Sequence, residues 1–299
     1  MAAKKKNPKE IKLLGYHDIM LHTYVYDNVE NAKAVVVIIH GMQEHAFRYD
    51  NFAKNLNKNG FIVVANDLRG HGKTCPNKAL RGHGEKDIFV ESVLDELSVI
   101  KYVKKTYKLP VYLFGHSYGS MLSQSILQHT KMIEKAVLCG TTDGSSWEIQ
   151  AGGALTRALA TFKKKEKISN FVEKMSIKAY GLKFPRGNWM TKDEKVFDKY
   201  LQDEYCGGSF PFGFYYALSN NMAKINKHID RIGNKKIFLI CGSDDPVSSG
   251  GKYVKTLYKK YLKHGINAKL KIYKHDRHEL INETDKKTVY KDVVNFYNS

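Results

Sequence analysis

VYLFGHSYGSMLSQSILQHT, residues 111–130, is the stretch on which the fold reading turns. VYLFG has the composition of a buried strand, and SMLSQSILQHT reads as a helix. Between them stands Gly115-His116-Ser117-Tyr118-Gly119. Ser117 therefore falls on a sharp strand-to-helix turn, with glycines two before and two after it to relieve the crowding that such a turn creates. The GxSxG pattern alone is a modest signal. Its setting between a strand and a helix makes it a strong one and marks Ser117 as a nucleophile.

The same alternation extends in both directions. AVVVIIH (34–40) and FIVVAND (61–67) are continuous β-branched runs, the sign of strands buried on both faces. A helix is predicted between them, with Phe52, Ala53, Leu56 and Phe47 on one face and Gly60 as its stop. Residues 88–105 carry Ile88, Val93, Leu94, Leu97, Ile100 and Val103 at helical spacing. KAVLCG (135–140), KIFLICG (236–242) and AKLKIY (268–273) read as further strands, with helices near 251–264 and from about 285. Residues 11–26 read as an antiparallel hairpin turning near Gly15–Asp18. Strand and helix in turn imply an α/β fold, with a mostly parallel central sheet flanked by helices. The rhythm stops after Thr141. Residues 142–225 lack buried-strand runs and read as a mainly helical insert, so the core is 1–141 plus 226–299.

A serine needs a base to take its proton, and the base needs an orienting carboxylate. On this kind of sheet the order is serine, acid, histidine, each beyond a strand's C-terminal end. KIFLICG runs into Ser243-Asp244-Asp245-Pro246, and AKLKIYK into His275-Asp276-Arg277-His278-Glu279. Spacing leaves Asp244 and Asp245 open as the acid, and His275 and His278 as the base; His264, at a helix end, reads as a surface residue. Oxyanion donors are expected at the backbone N–H of Tyr118 and of Met42, which follows the strand-ending His40-Gly41. Gly41 lets the backbone approach the substrate closely.

With these residues in place, the chain resembles the monoacylglycerol lipase and lysophospholipase branch of the α/β-hydrolases, a group that shares the serine aminopeptidase label. HGMQEHAFRYDNFAKNLNKNGFIVVANDLRGHGKT (40–74) is similar to the family's HGxxEHxxRY…DxRGHGxS block at His40, Gly41, Glu44, His45, Arg48, Tyr49, Gly60, Asp67, Arg69, Gly70, His71 and Gly72. GHSYG (Gly115, His116, Ser117, Tyr118, Gly119) resembles the family's GHSMG elbow, GSDDPVS its acid loop and HDRHELINE its histidine loop. TKDEKVFDKYLQDEYC (191–206) resembles a cap segment that ends in an Asp-Pro-Leu-like turn. The resemblance implies the α/β-hydrolase fold, a Ser117–Asp245–His278 triad, and a cap (lid) over 142–225 that forms the acyl pocket. It implies a carboxylic ester substrate, a monoacylglycerol or lysophospholipid-like one, with no metal and no cofactor. Departures are Tyr118 for Met, Ser120 for a common Gly, Thr74 for Ser, and Asp203-Glu204-Tyr205 for Asp-Pro-Leu. The cap's own sequence differs, so substrate choice does not carry over. A serine aminopeptidase or a small-ester or lactone hydrolase remains the alternative on this fold. A catalytically idle binding protein on the same scaffold is the reading that the intact Ser117, Asp245 and His278 weigh against.

Within the insert, Ala154, Leu155, Ala158, Leu159 and Phe162 share one helical face beside Lys163, Lys164, Lys165 and Lys167. That pattern suits either a helix packed on the core or a transient contact with a membrane surface. FPFGFYY (210–216) reads equally as acyl-pocket lining or as cap core.

Composition sets the outer limits. The 299 residues are 42% hydrophobic, and the longest purely apolar run, Ala34–Ile39, is far short of the roughly 20 residues that a spanning helix needs. The net charge is +19, yet only seven of the 49 basic residues are arginine, at 48, 69, 81, 157, 186, 231 and 277. Nucleic-acid sites favour arginine for bidentate contacts, so the excess reads as a lysine-rich solvated surface, with no nucleic-acid partner. The four cysteines form no CxxC pair and suit no zinc site. With no apolar stretch in MAAKKKNPKEI, a cytoplasmic location is the expectation. Oligomeric state is not legible.

Overall fold

The computed structural model describes residues 7–144, 165–168, 170 and 177–299. Eight strands form one sheet: β1 (Lys9–Leu14), β2 (Met20–Tyr26), β3 (Ala34–Ile39), β4 (Phe61–Asn66), β5 (Val111–His116), β6 (Ile133–Cys139), β7 (Lys236–Gly242) and β8 (Ala268–Tyr273). Their spatial order is β1-β2-β4-β3-β5-β6-β7-β8. The β1–β2 hairpin is antiparallel and joins β4 antiparallel; β4, β3, β5, β6, β7 and β8 are mutually parallel.

The apolar runs are continuous because both faces of the sheet are covered. Val35, Val37 and Ile39 of β3 face one core cluster, which contains Val99, Ile100 and Val103 of α2 (Ile88–Tyr107), Leu122 and Ile126 of α3 (Tyr118–His129) and Leu257 of a helix over Lys252–Lys263. Ala34, Val36 and Ile38 face the other, with Phe52, Ala53 and Leu56 of α1 (Asp50–Lys58) and Val289, Val293 and Phe296 of the last helix, Lys286–Asn298. The alternation of period two is thus present in space although hidden in hydropathy. Phe47, expected on the α1 face, instead belongs to a 3₁₀ turn before that helix and is 43% exposed. The turn at Ala46–Tyr49 precedes the helical register, so its residues do not share α1's buried face.

Between β6 and β7 the described residues contain α4 (Ile177–Gly181), α5 (Glu194–Gln202) and α6 (Phe212–Met222) and contribute no strand to the sheet. The helices after β7 and β8 are α7 (Lys252–Lys263) and α8 (Lys286–Asn298). The apolar face at 154–162 and its neighbours Lys163 and Lys164 lie outside the described residues. Among the described residues, no helix is long and apolar enough to cross a membrane.

One buried group ties the fold to pH. Glu96 of α2 is fully buried and accepts a hydrogen bond from Asn66 Nδ2 of β4 at 2.7 Å. Its Oε2 and Asn66 Oδ1 are both buried without partners. Burial pushes the Glu96 carboxyl up to about 8. A protonated Oε2 becomes a donor, and Asn66 Oδ1 is an acceptor on the same amide. The folded chain then holds this proton where the unfolded one releases it, near 4.5. Stability from this group is therefore full below about pH 4.5 and lost progressively as pH rises to about 8. Glu96→Gln supplies a permanent donor in place of the proton. Urea unfolding should show it more stable than the parent by about 1–3 kcal/mol at pH 8, with the gap narrowing toward pH 5.

Candidate active site

Ser117 directly follows β5 and is the N-cap residue of α3, with φ 51° and ψ −119°, a conformation that L residues rarely hold. Its neighbours explain how it persists. A Cβ at Gly119 would fall on the Ile39 carbonyl oxygen, and one at Gly115 would strike Ser123 Oγ, so both flanking positions require glycine. Ser117 N–H donates to Cys139 O at 2.9 Å, and Ser120 N–H and Oγ donate to Ser117 O. Serine at 120, where glycine is common, thus braces the turn. The Tyr118 N–H opens α3, where helix geometry leaves N–H groups without intrahelical acceptors and the dipole favours negative charge.

The loops after β7 and β8 bring Asp245 and His278 together. His278 Nδ1 lies 2.9 Å from Asp245 Oδ1, and both side chains are buried. Asp245 Oδ1 also accepts from Val247 N–H at 2.9 Å. Asp244 is exposed and takes the Ser243 hydroxyl; His275 is exposed as well, as is His264. His278 Nε2 is buried with no hydrogen-bond partner. It lines the same cavity of about 40 Å³ as Ser117, Gly41 and Met42. The His278 ring lies between His116 (4.8 Å between centroids) and Trp189 (5.0 Å).

The loop after β3 is held by charge as well as by its glycine. Glu44 Oε1 accepts from Gly41 N–H (2.6 Å) and from Tyr49 OH (2.8 Å), with His116 Nδ1 at 3.3 Å. Glu44 Oε2 pairs with Arg48 at 2.5 Å, and Arg48 makes two further bonds to Glu279, at 2.7 and 2.8 Å. Burial opposes the charge on Glu44, but Arg48 and His116 outweigh it and hold the carboxyl well below its usual range. Burial likewise opposes the charge on His116, yet the bond to Glu44 raises its pKa. The 67–72 block braces the same loop: Asp67 Oδ1 accepts from Ala46 N–H (2.8 Å), and Leu68 N–H donates to His40 Nε2 (2.9 Å).

Several of these contacts escape sequence reading. Glu44, Arg48 and Glu279 sit in recognisable motifs, but their mutual pairing spans 231 positions. Gly140 has φ 60°, and a Cβ there would lie 2.9 Å from His278 Cε1, so this glycine makes room for the imidazole. Trp189 carried no signal. Phe210 and Phe214, from the aromatic run, are 1% exposed and pack on His71 and Tyr118. They serve as core between insert and sheet. His45 Nε2 bonds Asp203 Oδ2 at 2.9 Å. With Cys206 these form a trio of metal-type ligand atoms, within 4.8 Å of one another, that four-cysteine spacing could not reveal.

Comparison with known proteins places this geometry. The family model Hydrolase_4, described as serine aminopeptidase, S33, matches residues 30–285. A monoglyceride lipase homolog of monkeypox virus is 26% identical over 272 residues, covering 87% of this chain and 88% of the relative. A carboxyl esterase from Bacillus coagulans superposes with a TM-score of 0.88 at 23% identity, over 98% and 99% of the two chains. A soluble variant of monoglyceride lipase from Saccharomyces cerevisiae superposes with a TM-score of 0.77 at 17% identity, over 99% and 96%. The two solved structures share the α/β-hydrolase fold.

Gly140 offers a direct probe of the His278 position. Gly140→Ala should cost about 1 kcal/mol through its left-handed backbone, a loss readable by thermal denaturation. Displacing the imidazole by a fraction of an ångström should lower ester turnover at least about tenfold in steady-state assays.

Proposed function

The chain belongs to the Hydrolase_4 (serine aminopeptidase, S33) family and is an ester-hydrolysing α/β-hydrolase, and from that premise we propose that Ser117, His278 and Asp245 form its catalytic triad. Ser117 Oγ attacks the ester carbonyl while His278 Nε2 takes its proton. Asp245 fixes the Nδ1–H tautomer and stabilises the imidazolium. The Met42 and Tyr118 N–H groups hold the oxyanion. His278 returns its proton to the leaving alcohol, and water then cleaves the acyl-enzyme by the same route. Every step is a proton or acyl transfer between these groups and water. The observation that carries this reading is the 2.9 Å His278–Asp245 bond, with the partnerless Nε2 on Ser117's cavity.

We further propose a monoacylglycerol or lysophospholipid-like substrate, handled by residues 142–225 as a cap. The relatives named monoglyceride lipase support it, as does the cavity. Beyond Ser117 it is lined by Gln43 and Tyr200 together with Met42, Trp189 and Met190, a mixed polar and apolar wall that suits an ester of a small hydroxylated alcohol. An aminopeptidase would need an unpaired carboxylate for the substrate's ammonium. Glu44 and Glu279 line the cavity, but both are spent on Arg48. The observed pairing therefore favours the ester over the peptide. A transient membrane-surface contact through the cap is proposed from the sequence of 154–167 alone. A cytoplasmic setting fits the four free cysteines.

A chain-length series of p-nitrophenyl esters, run with 1-monoacylglycerol and aminoacyl anilides, tests the assignment. Medium or long acyl esters and monoacylglycerol should be cleaved and anilides should not. Ser117→Ala should lower kcat by several orders of magnitude, with an unchanged circular dichroism spectrum. Near-full activity in that variant would sink the triad, and activity confined to acetate and butyrate would sink the lipid substrate.

A further inference from the structure

We propose that His40 and Glu44 are positioning residues that aim the Met42 N–H at the developing oxyanion, by pinning the two polar groups of Gly41. The inference rests on the reading of Met42 as an oxyanion donor and adds the side chains that orient it.

The peptide between Gly41 and Met42 is trans, as are all described peptides, so its C=O and N–H point in opposite directions. Whatever fixes the carbonyl therefore fixes the donor. His40 Nδ1 lies 2.7 Å from Gly41 O. Its other nitrogen, Nε2, accepts from Leu68 N–H at 2.9 Å, which assigns the ring proton to Nδ1. Burial lowers the His40 pKa to about 4, so the ring stays neutral and keeps this single tautomer. Nδ1–H thus holds the Gly41 carbonyl away from the cavity, and the Met42 N–H is directed toward it. Met42, Gly41 and Ser117 line that cavity together.

Glu44 secures the preceding peptide. Its Oε1 accepts from Gly41 N–H at 2.6 Å, so that N–H is not available to swing toward substrate. The carboxylate is 3% exposed and is itself fixed by Tyr49, Arg48 and His116. Gly41 is required at this point: a Cβ would lie 2.6 Å from Glu44 Oε1 and 3.2 Å from Ser117 Cβ. Gln43, two residues on, is held at φ 59° by bonds between its side chain and Gly208 O and between Gly207 N–H and its carbonyl. The loop is therefore set before substrate arrives, which is the condition under which oxyanion donors are most effective.

Replacing the ester carbonyl oxygen by sulfur tests this directly, because a thiocarbonyl is a poor acceptor from an oxyanion hole. The probes are a p-nitrophenyl ester and the O-p-nitrophenyl thionoester of the same acid. Glu44→Ala should lower kcat for the oxoester about 10²–10³-fold with KM changed less than about threefold. The oxo-to-thiono ratio of kcat/KM should fall at least about tenfold. Glu44→Gln keeps an oxygen for the Gly41 N–H and should retain the parent ratio within about threefold. A Glu44→Ala enzyme with the parent ratio would overturn the proposal, as would a Glu44→Gln enzyme that behaves like alanine. Should Glu44→Ala not fold, His40→Phe against His40→Asn makes the same measurement. Asparagine can still donate to Gly41 O and should keep the ratio, phenylalanine should lose it, and equal ratios would overturn the proposal. Ser117→Ala runs alongside. Near-full turnover there would count against the triad itself, whereas a Ser117→Ala enzyme slowed by several orders of magnitude with an unchanged Glu44→Ala ratio would count against this inference alone.

Discussion

One buried guanidinium holds the site together. Arg48 lies between the carboxylates of Glu44 and Glu279, its side chain 10% exposed and theirs 3% and 4%. Glu44 belongs to the loop that follows β3, and Glu279 directly follows His278. Two loops far apart in sequence thus meet on one cation, and Tyr200 of the insert covers it, its ring 4.9 Å from the guanidinium carbon. Bringing three charges out of water is costly, and it is tolerated only because each is paired and hydrogen-bonded. Loss of one partner would strand the others, a penalty of about 3–5 kcal/mol. The arrangement is specific in geometry because it has so little freedom in charge.

Around that centre, steric crowding does what charge does not. The elbow at Ser117 is possible only with glycine at 115 and 119, because the turn runs against Ile39 O and Ser123. The Ser117 backbone is strained, and the sheet bears that strain through the Ser117–Cys139 bond and the helix that begins at Tyr118. Gly140, at the end of the neighbouring strand, leaves the space that the His278 ring fills. Ser117, His278 and the Gly41–Met42 loop are therefore placed by the ends of the parallel strands and their packing as well as by the Arg48 pairing.

The sheet was legible because a strand buried on both faces leaves a run such as AVVVIIH, and the elbow because its crowding dictates glycine at fixed offsets. What spacing could not do was choose between adjacent carboxylates. Asp244 and Asp245 differ only in which way a turn points them, and that direction is set by tertiary bonds such as Asp245 Oδ1 to Val247 N–H. Resemblance chose Asp245, and Asp245 is the one that meets His278. Phe47 was misread because periodicity does not register that a 3₁₀ turn precedes the helix. The aromatic run was ambiguous for a like reason: pocket lining and core require the same side chains, and only its burial against His71 and Tyr118 separates them. Trp189, a lone aromatic in a polar segment, leaves no pattern to find.

The His278 loop is also fastened to the segment between β6 and β7. Glu279 N–H donates to Met190 O at 2.7 Å, and Arg277 reaches the carbonyls of Asn188 and Thr191. Lys192 pairs with Asp276, and its N–H donates to Glu283. Trp189, within this clamped segment, lies against the His278 ring. Residues 188–192 and the loop that carries His278 thus form one connected unit. A shift of residues 188–192 must therefore move or strain the loop that carries His278.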